Sequence, residues 1–192
     1  MLKNNNYLPR LLLKATGVQY GKKLKLIGWP FIFRDRKARL EIGDNVTINS
    51  SFFSNLLGLY QRTIIIAKKK SVVKIGNRVG ISGSTLYAWE RIEIGDGSLI
   101  GANCKIMDND FHPVDPQARL MRDHSVIVAK PVIIGKNVFI GTGSLILKGT
   151  VIGDNCVIGA GSVVSGKFEP GCIIAGNPAK VIRKFDQCEL PE

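Results

Sequence analysis

The chain has 192 residues, 45% of them apolar, and its 27 lysines and arginines against 15 acidic residues leave a net charge of +12. That length supports one domain with a real core, and no run of 18 apolar residues occurs to span a membrane. The charge favours phosphorylated ligands, an anionic membrane surface or nucleic acid, but no helix-turn-helix, RNP-type or zinc-finger pattern accompanies it, so nucleic acid ranks last.

In chain order, the opening MLKNNNYLPRLLLKATG is too short in its apolar stretch and too basic for a secretory signal, and the expectation is a cytoplasmic chain. Residues 1–39 show no repeat and read as a basic cap, with a short helix expected around LPRLLLKA. Residues 40–66 carry one phrase, IGDNVTIN (42–49), and then an interruption, SSFFSNLLGLYQRT. The phrase returns as IGNRVGIS (75–82) and IGDGSLIGANCKI (94–106). The phase is lost at about 107–131 and resumes with an aliphatic every six residues: Ile134, Ile140, Ile146, Ile152, Ile158 and Val164. Residues 167–192 read as a tail.

Each aliphatic of that series but the last is followed three residues later by Asn137, Gly143, Gly149, Asn155 or Gly161, residue types that tolerate positive φ and mark a corner. A helix needs a 3.6-residue period and does not accept glycine at this density. Short strands with a bend every six residues instead coil into a parallel β-solenoid over residues 40–166. Eighteen residues make one triangular coil, and the inward aliphatics stack in columns. Of the four cysteines, Cys104 and Cys156 take the small position of the repeat and read as buried thiols. No CxxC pair points to zinc or to a disulfide framework.

Chemistry belongs in the insertion, because insertions in solenoids bulge from one face. Its start, MDNDFHPVDP, holds His112, one of two histidines. Taken alone, a loop histidine among prolines reads first as a turn residue without chemistry. In an extended stretch Asp108, Asp110 and His112 fall on one side. A carboxylate beside an imidazole fixes its tautomer and stabilises the imidazolium, which makes Asp110 a candidate partner, with Asp108 behind it. His124, in RLMRDHSVIV, reads as a surface residue.

The [Ile/Val]-Gly-x-[Asn/Gly]-[small]-x repeat resembles the hexapeptide repeat of left-handed β-helix acyltransferases. The pattern H-P-x-D-P-x-x-R, His112 to Arg119, is similar to the catalytic loop of the sugar O-acetyltransferases of that family. The phrases NDFHP and AGNPAKVIRKF are similar to the polysaccharide branch, so the resemblance covers about residues 75–185. It implies an all-β, left-handed parallel β-helix with a protruding catalytic loop. His112 becomes the general base of an acetyl-CoA-dependent O-acetyltransferase, with no metal required. Thr142, Ala160 and Ser165 are implied along the pantetheine arm, and Lys180 and Arg183 at the phosphate end of coenzyme A. Phe139 stands where the family often carries Trp, and Gly166-Lys167 departs from its usual Thr-Lys step. The implied assembly is a homotrimer with shared active sites, acting on a sugar, an oligosaccharide or a lipid-linked glycan. The basic cap would then give peripheral contact with the inner membrane surface. An N-acetyltransferase for a nucleotide-linked amino sugar is the alternative within enzymes. A zinc carbonic anhydrase is disfavoured by two histidines without ligand spacing, and a non-catalytic ice-binding solenoid by its mixed outer ranks.

Overall fold

The computed structural model describes residues 13–186. Cys188 and most of the helix expected around LPRLLLKA lie outside the described residues, although residues 13–15 are helical. From Gln19 onward the chain winds through three parallel sheets in turn, each strand pairing with the strands one coil before and after it. Among the described residues the first sheet has seven strands, from Gln19–Tyr20 to Lys167–Phe168. The second has eight, from Lys25–Ile27 to Ala179–Lys184, and the third has six, from Phe31–Arg34 to Val163–Val164. Register confirms the coil length where the repeat is cleanest: Ile134 pairs with Ile152, Ile140 with Ile158 and Ile146 with Val164, each eighteen residues on.

All six aliphatics of the 134–164 series are buried, together with Leu40, Ile42, Ile48, Ile75, Ile81 and Ile100 from earlier coils, in one continuous core. The corners take the left-handed conformation at Asn137, Gly143, Gly149, Asn155 and Gly161, as the repeat requires. Glycine after the aliphatic has its own reason. A Cβ on Gly95 would come within 2.5 Å of the Gly135 carbonyl one coil on, and one on Gly141 within 2.5 Å of the Ala160 nitrogen. Only glycine lets the coils approach this closely. The Asp or Asn that follows glycine reaches back one coil. Asn77 Oδ1 accepts from the Asp44 N–H (2.8 Å), Asp96 Oδ1 from the Asn77 N–H (2.8 Å), and Asp154 Oδ1 from the Lys136 N–H (2.7 Å). The Asn77 backbone and side-chain N–H groups hold the Asp96 carboxyl below the ordinary range. Its contribution is therefore present at neutral pH and lost as the pH falls through that lowered value.

Both expected boundaries move. The strands Gln19–Tyr20, Lys25–Ile27 and Phe31–Arg34 belong to the three sheets, so the coil starts well inside the stretch assigned to a cap. At the other end Lys167–Phe168 and Cys172–Gly176 continue it, and Ala179–Lys184 folds back antiparallel on Cys172–Gly176 where a free tail was expected. Cys104, Cys156 and Cys172 are free and buried. Burial pushes the Cys104 and Cys156 thiols up. No helix of the described residues is long and apolar enough to cross a membrane.

Two insertions break the coil. Residues 50–63 leave between the second and third sheets, and residues 108–131 between the third and first. The neck of the second is latched. The buried Asp108 carboxylate accepts from the backbone N–H groups of Trp89, Glu90 and Arg91 and from Asn109 Nδ2. The Asp108 carbonyl accepts from the Lys130 N–H at 2.8 Å, and Asn109 bridges to Ala129.

Two stability measurements check this account. Ile152→Ala should cost roughly 2–5 kcal/mol in denaturant unfolding, because a coil held by its neighbours cannot collapse onto the hole. Asp108→Ala leaves three backbone donors and Asn109 Nδ2 unpaired and should cost at least roughly 1–3 kcal/mol, with faster amide exchange at residues 89–91 and in the loop.

Candidate functional site

The turn that carries His112 is built by its neighbours. Asn109 Oδ1 accepts from the Phe111 N–H at 2.9 Å, and the Asp110 carbonyl accepts from the His112 N–H at 2.6 Å. Between them Phe111 sits at φ 61°, a left-handed conformation uncommon outside glycine and asparagine. Its ring lies 4.7 Å from Tyr87 on the third sheet. Behind the histidine, Asp115 caps the short helix Pro116–Leu120 by accepting from the Ala118 N–H at 2.7 Å. Arg119 reaches back from that helix, and its Nη1 donates to the carbonyls of Pro113 and Val114, both at 2.9 Å. The H-P-x-D-P-x-x-R pattern thus has a local meaning. Its Asp and Arg fasten the turn that presents the histidine.

The expected row of Asp108, Asp110 and His112 does not form. Asp108 turns inward to latch the neck, and positive φ at Phe111 ends the extended alternation. Asp110 is committed elsewhere: Lys148 Nζ donates to both of its oxygens, at 2.6 and 2.7 Å. Among the described residues the His112 imidazole makes no hydrogen bond, and Asp110 supports it through the main chain alone. His112 is exposed. His124, read as a surface residue, is exposed and opens a 3-10 turn in the same insertion. Its ring centroid stands 6.3 Å from that of His112, so the chain's two histidines are neighbours.

Asp110 and Phe111, next to His112 in the chain, line an open cavity of about 420 Å³ with Met107, Lys130, Lys148 and Ser165. Lys148 escaped the sequence reading. Met107 and Leu147 follow the paired residues Ile106 and Ile146, so Lys148 occupies the position of Asp108 one coil on. Coil counting that allowed for the insertion would have placed it there. Of the residues assigned to the donor, Thr142 and Ala160 stack at the corner between the second and third sheets, where Thr142 Oγ1 donates to the Ala102 carbonyl at 2.7 Å. Ser165 lies at the next corner, in the cavity, so the third sheet separates it from that pair. Lys180 and Arg183 are exposed on the returning strand at the end of the coil. Phe139 is half exposed on the second sheet, and Lys167 stands exposed on the first. Glu90 gives its N–H to Asp108, while Ser84 is buried against the Gly101 carbonyl. Among the described residues no three His, Cys, Asp or Glu side chains converge as a metal ligand set.

A family profile described as "Hexapeptide repeat of succinyl-transferase" matches residues 91–106 and 131–165. Nodulation protein L of Rhizobium meliloti is 45% identical over 91 residues, which is 47% of this chain and 48% of that protein. The chain spans about half the length of the first curated relatives it matches. Among solved structures, the polySia specific acetyltransferase NeuO aligns over 90% of this chain and 75% of its own, with 29% identity and a TM-score of 0.66. A galactoside acetyltransferase in complex with coenzyme A aligns over 83% of this chain and 68% of its own, with 28% identity and a TM-score of 0.52. Repeat, coil and these likenesses fit a hexapeptide-repeat left-handed β-helix, similar to that of the acetyltransferases above.

Proposed function

We propose that the protein is an acetyl-CoA-dependent O-acetyltransferase that acetylates a hydroxyl of a sugar or glycan, with His112 as general base. The observation that carries this reading is the presentation of an exposed imidazole on a turn fastened from both sides, whose preceding residues Asp110 and Phe111 line an open cavity. A sugar hydroxyl is a poor nucleophile at neutral pH. In this mechanism the imidazole takes the hydroxyl proton as the oxygen attacks the thioester carbonyl, and collapse of the tetrahedral adduct expels the thiolate of coenzyme A. Asp110 and Lys148 act as positioning residues, since their ion pair ties the turn to the coil.

The corner that bears Thr142 and Ala160 fits an extended pantetheine arm. Gly143 and Gly161 stack there with open space beside their α-carbons, so backbone lies bare along the coil. We assign the phosphate-bearing end of the donor to Lys180 and Arg183. The working unit in this reading is a trimer that shares its sites, joined through the second sheet, where Leu99 and Phe139 are in register and exposed.

Release of free thiol from acetyl-CoA, followed across a panel of sugars and oligosaccharides, tests the reading. His112→Asn keeps size and hydrogen bonding but removes the basic nitrogen, and should lower turnover at least ~10²-fold while acetyl-CoA binding persists. Near-normal turnover in that variant would assign the proton to another group. Lys180→Ala and Arg183→Ala should act on the donor instead, raising the KM for acetyl-CoA roughly tenfold with kcat little changed.

A further inference from the structure

The two insertions leave the coil at opposite edges of the third sheet, and they are anchored at the same level. Asn103, buried and at φ 61°, holds the first: its Oδ1 accepts from the Tyr60 N–H at 3.3 Å, and its Nδ2 donates to the Gly58 carbonyl at 3.0 Å. Asp108 latches the second. Between these anchors runs the strand Lys105–Met107, about 10 Å long at the rise of a β-strand. Ile106 points inward and is buried, so Lys105 and Met107 face out. Thr85 and Tyr87 lie beside them in register. The feet of the two loops therefore flank the outer face of this sheet.

Its chemistry is specific. Tyr60 is 71% exposed at one end, its N–H on Asn103 Oδ1 and its hydroxyl donating to the Asn103 carbonyl at 3.5 Å, and the neighbouring Gln61 Nε2 donates to Thr85 Oγ1 at 2.9 Å. Tyr87 and Phe111 pair at the other end, beside His112. Lys105 stands in the middle, its Nζ 6.0 Å from the Tyr60 ring centroid. Neither Lys105 nor Lys130 has a carboxylate partner among the described residues, and the carboxylate that lines the cavity, Asp110, is already neutralised by Lys148. Aromatic faces offer flat apolar surface for the C–H face of a pyranose ring, and a lysine is a point charge for a carboxylate.

We infer that the outer face of the third sheet, between the 50–63 loop and the His112 loop, is the acceptor subsite and takes a negatively charged oligosaccharide, with sugar rings on Tyr60 and Tyr87 and a carboxylate on Lys105. The inference rests on the O-acetyltransferase reading and adds the acceptor's place and charge. Commitment to a glycan rather than a second copy of the chain follows from the unpaired cations and from the histidine at one end. The more apolar flank of the late coils is on the second sheet, where Leu99 and Phe139 lie.

The test uses Tyr60→Ala and Lys105→Gln, two outward positions, in the full-length protein. The acceptors are oligomers of galacturonic, glucuronic and sialic acid and their carboxyl-reduced forms. Both variants should raise the KM for the best acidic acceptor about tenfold, leaving kcat and the KM for acetyl-CoA within about twofold. The Lys105→Gln effect should vanish with the carboxyl-reduced acceptor. Unchanged acceptor KM in both variants, or a preference of the wild type for neutral acceptors, would overturn the inference and leave the acetyltransferase reading standing. A fall in molecular mass by light scattering on Tyr60→Ala would overturn it by giving this face to a second copy. If the wild type acetylates no saccharide, the functional reading fails. Calorimetric titration of the acidic oligomers into wild type and Lys105→Gln then decides the subsite separately: binding weakened by the substitution supports it, and absence of binding ends it.

Discussion

Everything in this molecule depends on how closely one coil can lie on the next. Parallel pairing needs neighbouring strands about 4.8 Å apart at every one of three corners, and a side chain on the wrong corner residue would hold the coils open. Glycine at 95 and 141 removes that obstacle, where a Cβ would meet backbone 2.5 Å away. Aspartate or asparagine next to such glycines then uses the closeness, because only at that spacing does Asp96 Oδ1 reach the Asn77 N–H. The repeat is a stacking rule written as a motif. Sheets, core columns and corner bonds all follow from it.

A coil made this way is stiff and has few places for chemistry. Its inward side is filled by aliphatics, and its outward side repeats. Insertions are the places where the chain can bring unlike groups together, and here a buried polar residue holds the foot of each. Asp108 gathers three backbone N–H groups at one edge of the third sheet, and Asn103 binds Gly58 and Tyr60 at the other. Loops fixed at their feet place a histidine and a tyrosine with the precision of the coil beneath them.

The same rule explains which parts were legible in advance. Between Ile134 and Val164 every corner is Asn or Gly and every strand's inward residue is aliphatic, so period, corners and core could all be read. The coil at residues 19–39 obeys the same geometry without the same letters. Lys23 takes the left-handed corner that asparagine takes elsewhere, and Lys22 stands where Asp44 stands one coil later, giving its N–H to the Asp44 carboxylate. A basic stretch therefore looked like a cap although Leu24, Leu26 and Leu40 fill the core behind it. In the insertion, the turn around His112 was marked by its prolines and aspartates, but the use of Asp110 was not. Alternation holds only for extended backbone, and the turn at Phe111 breaks it. Lys148, the partner of Asp110, is 38 residues away and adjacent only after coiling.

Three faces of one coil have three different surfaces, and the difference bears on what each can do. On the first sheet Lys74 lies in register between Glu41 and Glu93, with Arg39–Glu41 and Arg91–Glu93 ion pairs beside it. Exposed pairs of this kind add little stability, but a face so charged stays in water. On the second sheet Leu99 and Phe139 are stacked and exposed, 53% and 48%, which is apolar area suited to burial against another protein surface. Between the two fixed loops the third sheet carries Tyr87, Met107 and Lys105, with Tyr60 on the first loop. That is too polar for a buried subunit interface and too apolar for a merely solvated face. A polar, partly apolar ligand such as a saccharide would satisfy both kinds of group at once.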